Sequence, residues 1–155
     1  MEKWGDKPYH SLDYENKKRF GEKVYKISLA GGTTCPNRDG TLGTRGCCFC
    51  SGSGSGDFAA TKGSITEQIE EAIARVSRYK NAGHHFTAYF QSFTATYAPV
   101  ETLRAAWEEA MTHESVVTLA IATRPDCLGD DVLSLLVDCC RKMPVTVETK
   151  ENFLD

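Results

Sequence analysis

Apolar positions in this chain recur with two periods, and the two periods alternate. Val24-Tyr-Lys-Ile-Ser-Leu29 alternates and carries β-branched and aromatic residues, which predicts a strand that Gly31-Gly32 ends. Ser64-Ile-Thr-Glu67 is a capping box, and Ile65, Ile69, Ala72, Ile73 and Val76 behind it share one helical face. Phe86-Thr-Ala-Tyr-Phe-Gln91 predicts a second strand. Pro99 suits a first helical position, and Val100, Leu103, Trp107, Ala110 and Met111 follow at helical spacing. Val116 to Ala122 is almost uniformly apolar, the pattern of a strand buried on both faces of a parallel sheet. Asp130 or Asp131 is placed to cap a third helix carrying Val132, Leu135, Leu136 and Cys139, and Val145-Thr-Val-Glu148 opens a fourth strand. Ahead of all this, Ser11 to Phe20 is polar with Gly21 as a helix stop. Residues 1–22 therefore read as an N-terminal extension packed outside a main fold over 23–155.

A βαβαβαβ order implies right-handed crossovers and a parallel α/β sheet, built here from three βα units and a further strand. Ligands of such sheets bind beyond the carboxyl ends of the strands. The loop from Gly31, the Gln91-Ser92 pair and Thr123-Arg-Pro-Asp126 all lie just past strand ends, so they are expected to meet along one edge.

Composition narrows the class. With 155 residues, 25% charged and 41% hydrophobic, the chain reads as one globular unit rather than a disordered one. A net charge of -3 gives no general basic surface, so nucleic acid is not indicated; the Lys17-Lys18-Arg19 cluster reads as a solvated helix face. The N-terminus lacks the apolar run of a signal peptide, and no stretch is long and apolar enough to span a bilayer. The expected compartment is the cytoplasm, where seven cysteines, an odd number, are thiols or metal ligands rather than disulfides.

Candidate chemistry concentrates in the loop Gly31 to Cys50. Cys35, Cys47 and Cys50 can hold three corners of a four-iron, four-sulfur cluster and leave the fourth iron open to a small molecule. Cys48 is an alternative ligand, read as a bystander because Cys47 keeps a two-residue gap to Cys50. Cys127, Cys139 and Cys140 read as core or surface thiols, and His84 and His85 as loop residues that could still ligate. Ser51-Gly-Ser-Gly-Ser-Gly56 has linker composition, but after the cysteines it is expected to let the backbone pass close to a bound group. A non-catalytic zinc module, with Cys48 or a histidine as fourth ligand, competes with the cluster, although no second pair has zinc-ribbon spacing.

Loop and topology together resemble the radical S-adenosylmethionine (radical SAM) superfamily, whose core is a partial barrel of parallel βα units with cluster cysteines after its first strand. The similarity is closer to an uncharacterised bacterial family in its elongator-protein-three/MiaB/NifB-like group. It is carried by Trp4-Gly-Asp-Lys7, Tyr9-His-Ser11, Phe20-Gly-Glu-Lys-Val24, Cys35-Pro-Asn-Arg-Asp-Gly-Thr41, Gly46-Cys-Cys-Phe-Cys50, Gly54-Ser-Gly-Asp-Phe58, Ala88-Tyr-Phe-Gln91, Ala98-Pro-Val100 and Ile121-Ala-Thr-Arg-Pro-Asp-Cys127. The resemblance implies a cluster on Cys35, Cys47 and Cys50 whose open iron is chelated by S-adenosylmethionine. It implies reductive cleavage of that molecule to methionine and a 5'-deoxyadenosyl radical, with an external flavodoxin- or ferredoxin-like electron donor and an unknown substrate. Phe49 would pack near the adenine, and Gln91, Ser92, Arg124 and Asp126 would contact the methionine amine or carboxylate. A turn built on Pro125 with a solvated arginine is the alternative for the last pair.

The chain departs from this pattern in three places. Eleven residues separate Cys35 from Cys47, where the superfamily usually has three, a known departure. Cys48 replaces what is usually a non-cysteine. After Glu148 the match ends, so the chain is expected to form about half of the barrel, with an apolar strand edge open to other chains. An inactive N-terminal fragment is therefore a further reading.

Overall fold

A computed structural model describes residues 4–48, 50–60 and 62–149. Four strands, β1 (Tyr25–Leu29), β2 (Phe86–Phe90), β3 (Val116–Thr123) and β4 (Val145–Thr149), form a sheet in the order β1-β2-β3-β4, and every pair is parallel. Helices α2 (Ile65–Tyr79), α3 (Val100–Thr112) and α4 (Asp130–Lys142) alternate with them, after an N-terminal α1 (Leu12–Phe20). The α/β class and its parallel βα units are as the periodicities predict.

Each crossover steps to the adjacent strand in the same direction, so right-handed connections put α2, α3 and α4 on one face. Strand alternation then sorts the side chains. Ile27, Ala88, Leu119 and Val145 form one register row facing the helices, and Leu29, Phe90, Ile121 and Val147 form the next. Together with Ile69, Leu103, Trp107 and Leu135 from the helices, most of these residues make one core. The largest buried side chain is Trp107 of α3, only 1% exposed. The opposite face carries polar residues and alanines: Lys26, Ser28, Thr87, Tyr89, Thr118, Ala120, Ala122, Thr146 and Glu148.

Three helix starts show how local chemistry resolves. Ser64 makes the capping box in full with Glu67, as its spacing predicts. Pro99 is the N-cap of α3 rather than its first helical residue, because its ψ of 137° is extended. Neither Asp130 nor Asp131 caps α4. Gly129 holds that position without a side-chain bond, and the two aspartates fill the first turn, where negative charge favours the helix dipole.

Helix α1 begins at Ser11, whose Oγ accepts the Tyr14 N–H, and ends at Gly21 in the left-handed region at φ 78°. It lies against the polar sheet face, enclosing with it a cavity of about 130 Å³ lined by Asn16, Phe20, Lys26, Thr118, Thr146 and Glu148, among others. At the other end of the sheet order, β4 leaves Val147 39% exposed and α4 leaves Leu133 and Val137 exposed. Among the described residues no helix is long and apolar enough to cross a membrane.

Candidate metal centre

The cysteine loop is an excursion from the end of β1. Ala60 returns beside Leu29 in a parallel bridge, its N–H donating to Ser28 O at 3.2 Å, so everything between is carried above the carboxyl edge of the sheet. The Gln68 side chain anchors the exit by accepting the Ala30 N–H at 3.0 Å. Within the excursion the Cys35 carbonyl accepts the N–H groups of Arg38 and Asp39, and the Asn37 carbonyl accepts the Gly46 N–H at 2.9 Å. This folds the eleven residues between Cys35 and Cys47 back on themselves and places Cys47 beside Asn37. The Cys50 N–H donates to Cys47 O at 3.0 Å, closing the second cysteine turn. Cys35 is buried, Cys47 and Cys50 are half-buried, and Cys48 is exposed.

Among the described residues, side chains donate to the Cys47 and Cys50 sulfurs. Asn37 Nδ2 donates to Cys47 Sγ at 3.2 Å, and Ser55 Oγ donates to Cys50 Sγ at 3.5 Å. Arg38 grips the same turn from outside, its guanidinium donating to the carbonyls of Cys50, Ser51 and Gly52 at 3.3, 2.5 and 3.4 Å. Sequence reasoning assigned no role to Asn37, Arg38 or Ser55. The available signal was an asparagine and an arginine, both strong donors, directly behind the first cysteine of a glycine-rich loop.

The loops after β2 and β3 meet this excursion, as topology requires. Thr94 N–H donates to Thr34 O at 3.1 Å, Phe93 N–H to Gly54 O at 2.8 Å, and Ala95 N–H to Ala122 O at 3.0 Å. The Ser-Gly stretch is packed rather than free: a Cβ on Gly54 would lie 2.4 Å from the Phe93 ring, and one on Gly56 would lie 2.0 Å from Ser92 Oγ. Gly54 also needs its φ of 63°. An open cavity of about 480 Å³ adjoins the meeting point, lined by Thr34, Thr96, Tyr97, Cys127, Gly129 and Asp131, among others.

The polar residues expected to contact S-adenosylmethionine fall in this region with different degrees of freedom. Gln91 Oε1 accepts from Ser28 Oγ at 3.2 Å. Ser92 Oγ is buried against Gly56 and has no hydrogen-bond partner among the described residues. Arg124 and Asp126 bind each other through two bonds of 2.8 and 2.6 Å. The Pro125 turn forms, but its arginine is 3% exposed, which overturns the solvated alternative. That bidentate pairing raises the Arg124 pKa further and holds the Asp126 carboxyl below its usual range. Burial, with the Asp126 charge behind it, pushes the Cys127 thiol up to about 11, so it is protonated at neutral pH. Phe49 lies outside the described residues.

The histidines are not at this edge. His84 and His85 precede β2, at the amino end of the sheet, where the Glu22 carboxylate accepts both backbone N–H groups at 2.8 and 2.9 Å. These bonds lower the Glu22 pKa, the one from His84 most. Parallel strands place this pair a strand length from the cysteine loop, so neither serves as a fourth ligand there. His113, ahead of β3, is at the same amino end and accepts the Ser115 N–H.

Among the described residues, no three histidine, cysteine or carboxylate side chains converge on one metal ion. Ligands of a four-iron cluster bind different irons and do not converge on a point, so the donor chemistry is the relevant test. Three thiols on one loop, two of them already receiving N–H and O–H donors of the kind that surround cluster sulfurs, fit such a group.

No known family profile matches the chain, and no solved structure matches it. Proteins similar to it in sequence are known. Over 149 residues, 92% of this chain, it is 44% identical to the uncharacterised protein YtqA of Bacillus subtilis (strain 168). It is 43% identical over 121 residues, 78% of the chain, to protein YhcC of Escherichia coli (strain K12), and 34% identical over 125 residues, 79% of the chain, to the uncharacterised protein MJ0486 of Methanocaldococcus jannaschii. The aligned parts cover 44%, 38% and 37% of these relatives, so the chain spans less than half of their length.

Proposed function

We propose that this chain binds a four-iron, four-sulfur cluster through Cys35, Cys47 and Cys50 and presents it to S-adenosylmethionine, as a radical SAM protein of unknown substrate. The observation that carries the reading is the cysteine loop itself: three thiols held at the carboxyl edge of a parallel sheet, with donors aimed at the Cys47 and Cys50 sulfurs. When bound, the cluster supplies the electron for reductive cleavage of S-adenosylmethionine to methionine and a 5'-deoxyadenosyl radical. The chain's own part is to orient and to exclude water. Arg38 and the packed Gly54-Ser55-Gly56 segment fix the turn that carries Cys50. Gln91 and Ser92, just past the end of β2, are the residues this reading places near the methionine end; the Ser92 hydroxyl is packed against Gly56, so its part is to seat the Ser-Gly segment beside the cluster turn. The reading includes a reducing, cytoplasmic setting and a flavodoxin- or ferredoxin-like electron donor.

Anaerobic reconstitution with iron and sulfide, followed by electron paramagnetic resonance of the reduced protein, tests this. A four-iron signal that changes on adding S-adenosylmethionine, and that is absent when Cys35, Cys47 and Cys50 are replaced by Ala, is the expected result. Zinc bound without iron or sulfide would overturn it in favour of the non-catalytic module.

A further inference from the structure

We infer that Asn37 and Ser55 set the reduction potential of the cluster, Asn37 through the Cys47 sulfur and Ser55 through the Cys50 sulfur. The inference rests on the cluster reading above and adds a role for two residues that do not ligate iron.

Asn37 is built for the task. It is 5% exposed, and its backbone carbonyl accepts the N–H of Gly46, the residue just before Cys47. That backbone bond brings the Cys47 sulfur within 3.2 Å of the side-chain amide. One residue therefore both positions the ligand and donates to it.

Ser55 carries a different mark. Its φ of 63° lies in the left-handed region, which a non-glycine residue occupies at a cost. Glycine stands on both sides of it and would suit the position better, yet a serine is found there with its hydroxyl on Cys50 Sγ. Strained backbone of this kind persists where the side chain has work to do.

Reduction adds negative charge that spreads onto the cluster sulfurs. A donor already pointing at a sulfur is worth more in the reduced state than in the oxidised one, so each such bond raises the potential. Removing a donor makes the cluster harder to reduce without removing a ligand. A merely structural role would alter cluster uptake or stability and leave the potential of loaded protein unmoved.

The test compares the full chain with Ser55→Gly and Asn37→Asp. Ser55→Gly removes the hydroxyl while relieving the backbone, so it is not expected to unfold the loop, and it adds no charge; Asn37→Asp removes the donor but also adds a negative charge that shifts the potential the same way, so the uncharged Asn37→Leu is titrated beside it as the variant that decides for Asn37. Each protein is reconstituted anaerobically, its iron and sulfide are counted, and its reduction is titrated by electron paramagnetic resonance without S-adenosylmethionine. The expected result is wild-type iron content with potentials shifted to more negative values in all three variants. Loaded variants that titrate at the wild-type potential would overturn the inference and leave the cluster reading standing. Should Asn37→Asp fail to load, Asn37→Leu decides for Asn37 and Ser55→Gly for Ser55. A wild-type chain that takes up no cluster removes the cluster reading and this inference together.

Discussion

Tyr89 Oη donates to Glu148 Oε2 at 2.8 Å, joining β2 to β4 across the intervening strand. The bridge is possible because β3 presents Ala120 and Ala122 beneath it, side chains too short to stand between. Lys26 of β1 completes the group: its ammonium bonds the other Glu148 oxygen and lies 4.4 Å from the Tyr89 ring centroid. Three strands, β1, β2 and β4, are thus tied on the polar face by one side chain each, across β3.

Removal of that phenol has a cost and a pH signature. Tyr89→Phe is expected to destabilise the fold by about 1–2 kcal/mol, the range of a hydrogen bond to a charged group at a partly exposed site. Burial, then the bond and charge of Glu148, hold the Tyr89 pKa above its ordinary 10.0. The native state therefore keeps this proton where the unfolded chain releases it. The contribution is complete below pH 10 and declines as pH rises beyond it. Urea denaturation from neutral to alkaline pH checks this: the Phe variant should lose part of the alkaline decline.

Asp126 is the exposed partner of a buried guanidinium. Asp126→Ala leaves Arg124 without that partner, at an expected cost of about 1–3 kcal/mol. The Asp126 pKa is lowered chiefly by the Arg124 bond, so its contribution is present above the ordinary 3.8 and is lost as pH falls through the depressed folded value. Asp126→Asn should flatten the acid limb of the stability profile, measured by thermal melts between pH 3 and 7.

Adjacent cysteines should behave oppositely. Cys47 lies half-buried under the Asn37 amide, and Cys48 is exposed. Cys48→Ser is expected to reconstitute with full iron and an unchanged response to S-adenosylmethionine, whereas Cys47→Ser should lose both. Iron analysis and electron paramagnetic resonance distinguish them. Retention of the cluster in Cys47→Ser with loss in Cys48→Ser would reverse the ligand assignment.

Gly56 is a steric requirement. A methyl there would meet Ser92 Oγ at 2.0 Å and Ser92 Cβ at 2.8 Å, so Gly56→Ala is expected to cost about 1–3 kcal/mol by overpacking. Adding Ser92→Gly should restore part of that loss and not all of it, because the Ser53 carbonyl oxygen at 2.9 Å stays in the way. Denaturant midpoints of the single and double variants measure the coupling.

The open side of β4 should make the chain self-associate. Among the described residues β4 pairs only with β3, and Val147 is exposed beside it. Sedimentation velocity over a range of concentrations should show reversible association, weakened by Val147→Lys.

Much of this was legible along the chain because its signals are local. The capping box at Ser64, the stop at Gly21 and the alternation of Tyr25 to Leu29 depend on neighbours a few residues away. The α4 start is ambiguous in sequence because aspartate in a first turn and aspartate at an N-cap look alike; only backbone dihedrals separate them, and Gly129 takes the cap. The buried state of Arg124 was hidden for a related reason, since an arginine near a proline turn reads as solvated until its partner is placed.

Sequence alone determined the order of strands and helices, their parallel pairing and the loop that carries the cysteines, since periodicity and crossover handedness operate within single βα units. Tertiary structure decided what meets what. Asn37 reaches Cys47 only because the eleven residues between Cys35 and Cys47 fold back on themselves, Ser55 reaches Cys50 only because Gly54 and Gly56 let the backbone pack against the loop after β2, and Glu148 reaches Lys26 across the full width of the sheet. These contacts depend on the closing of long loops and on residues up to 122 positions apart, and no local pattern in the chain encodes such a distance.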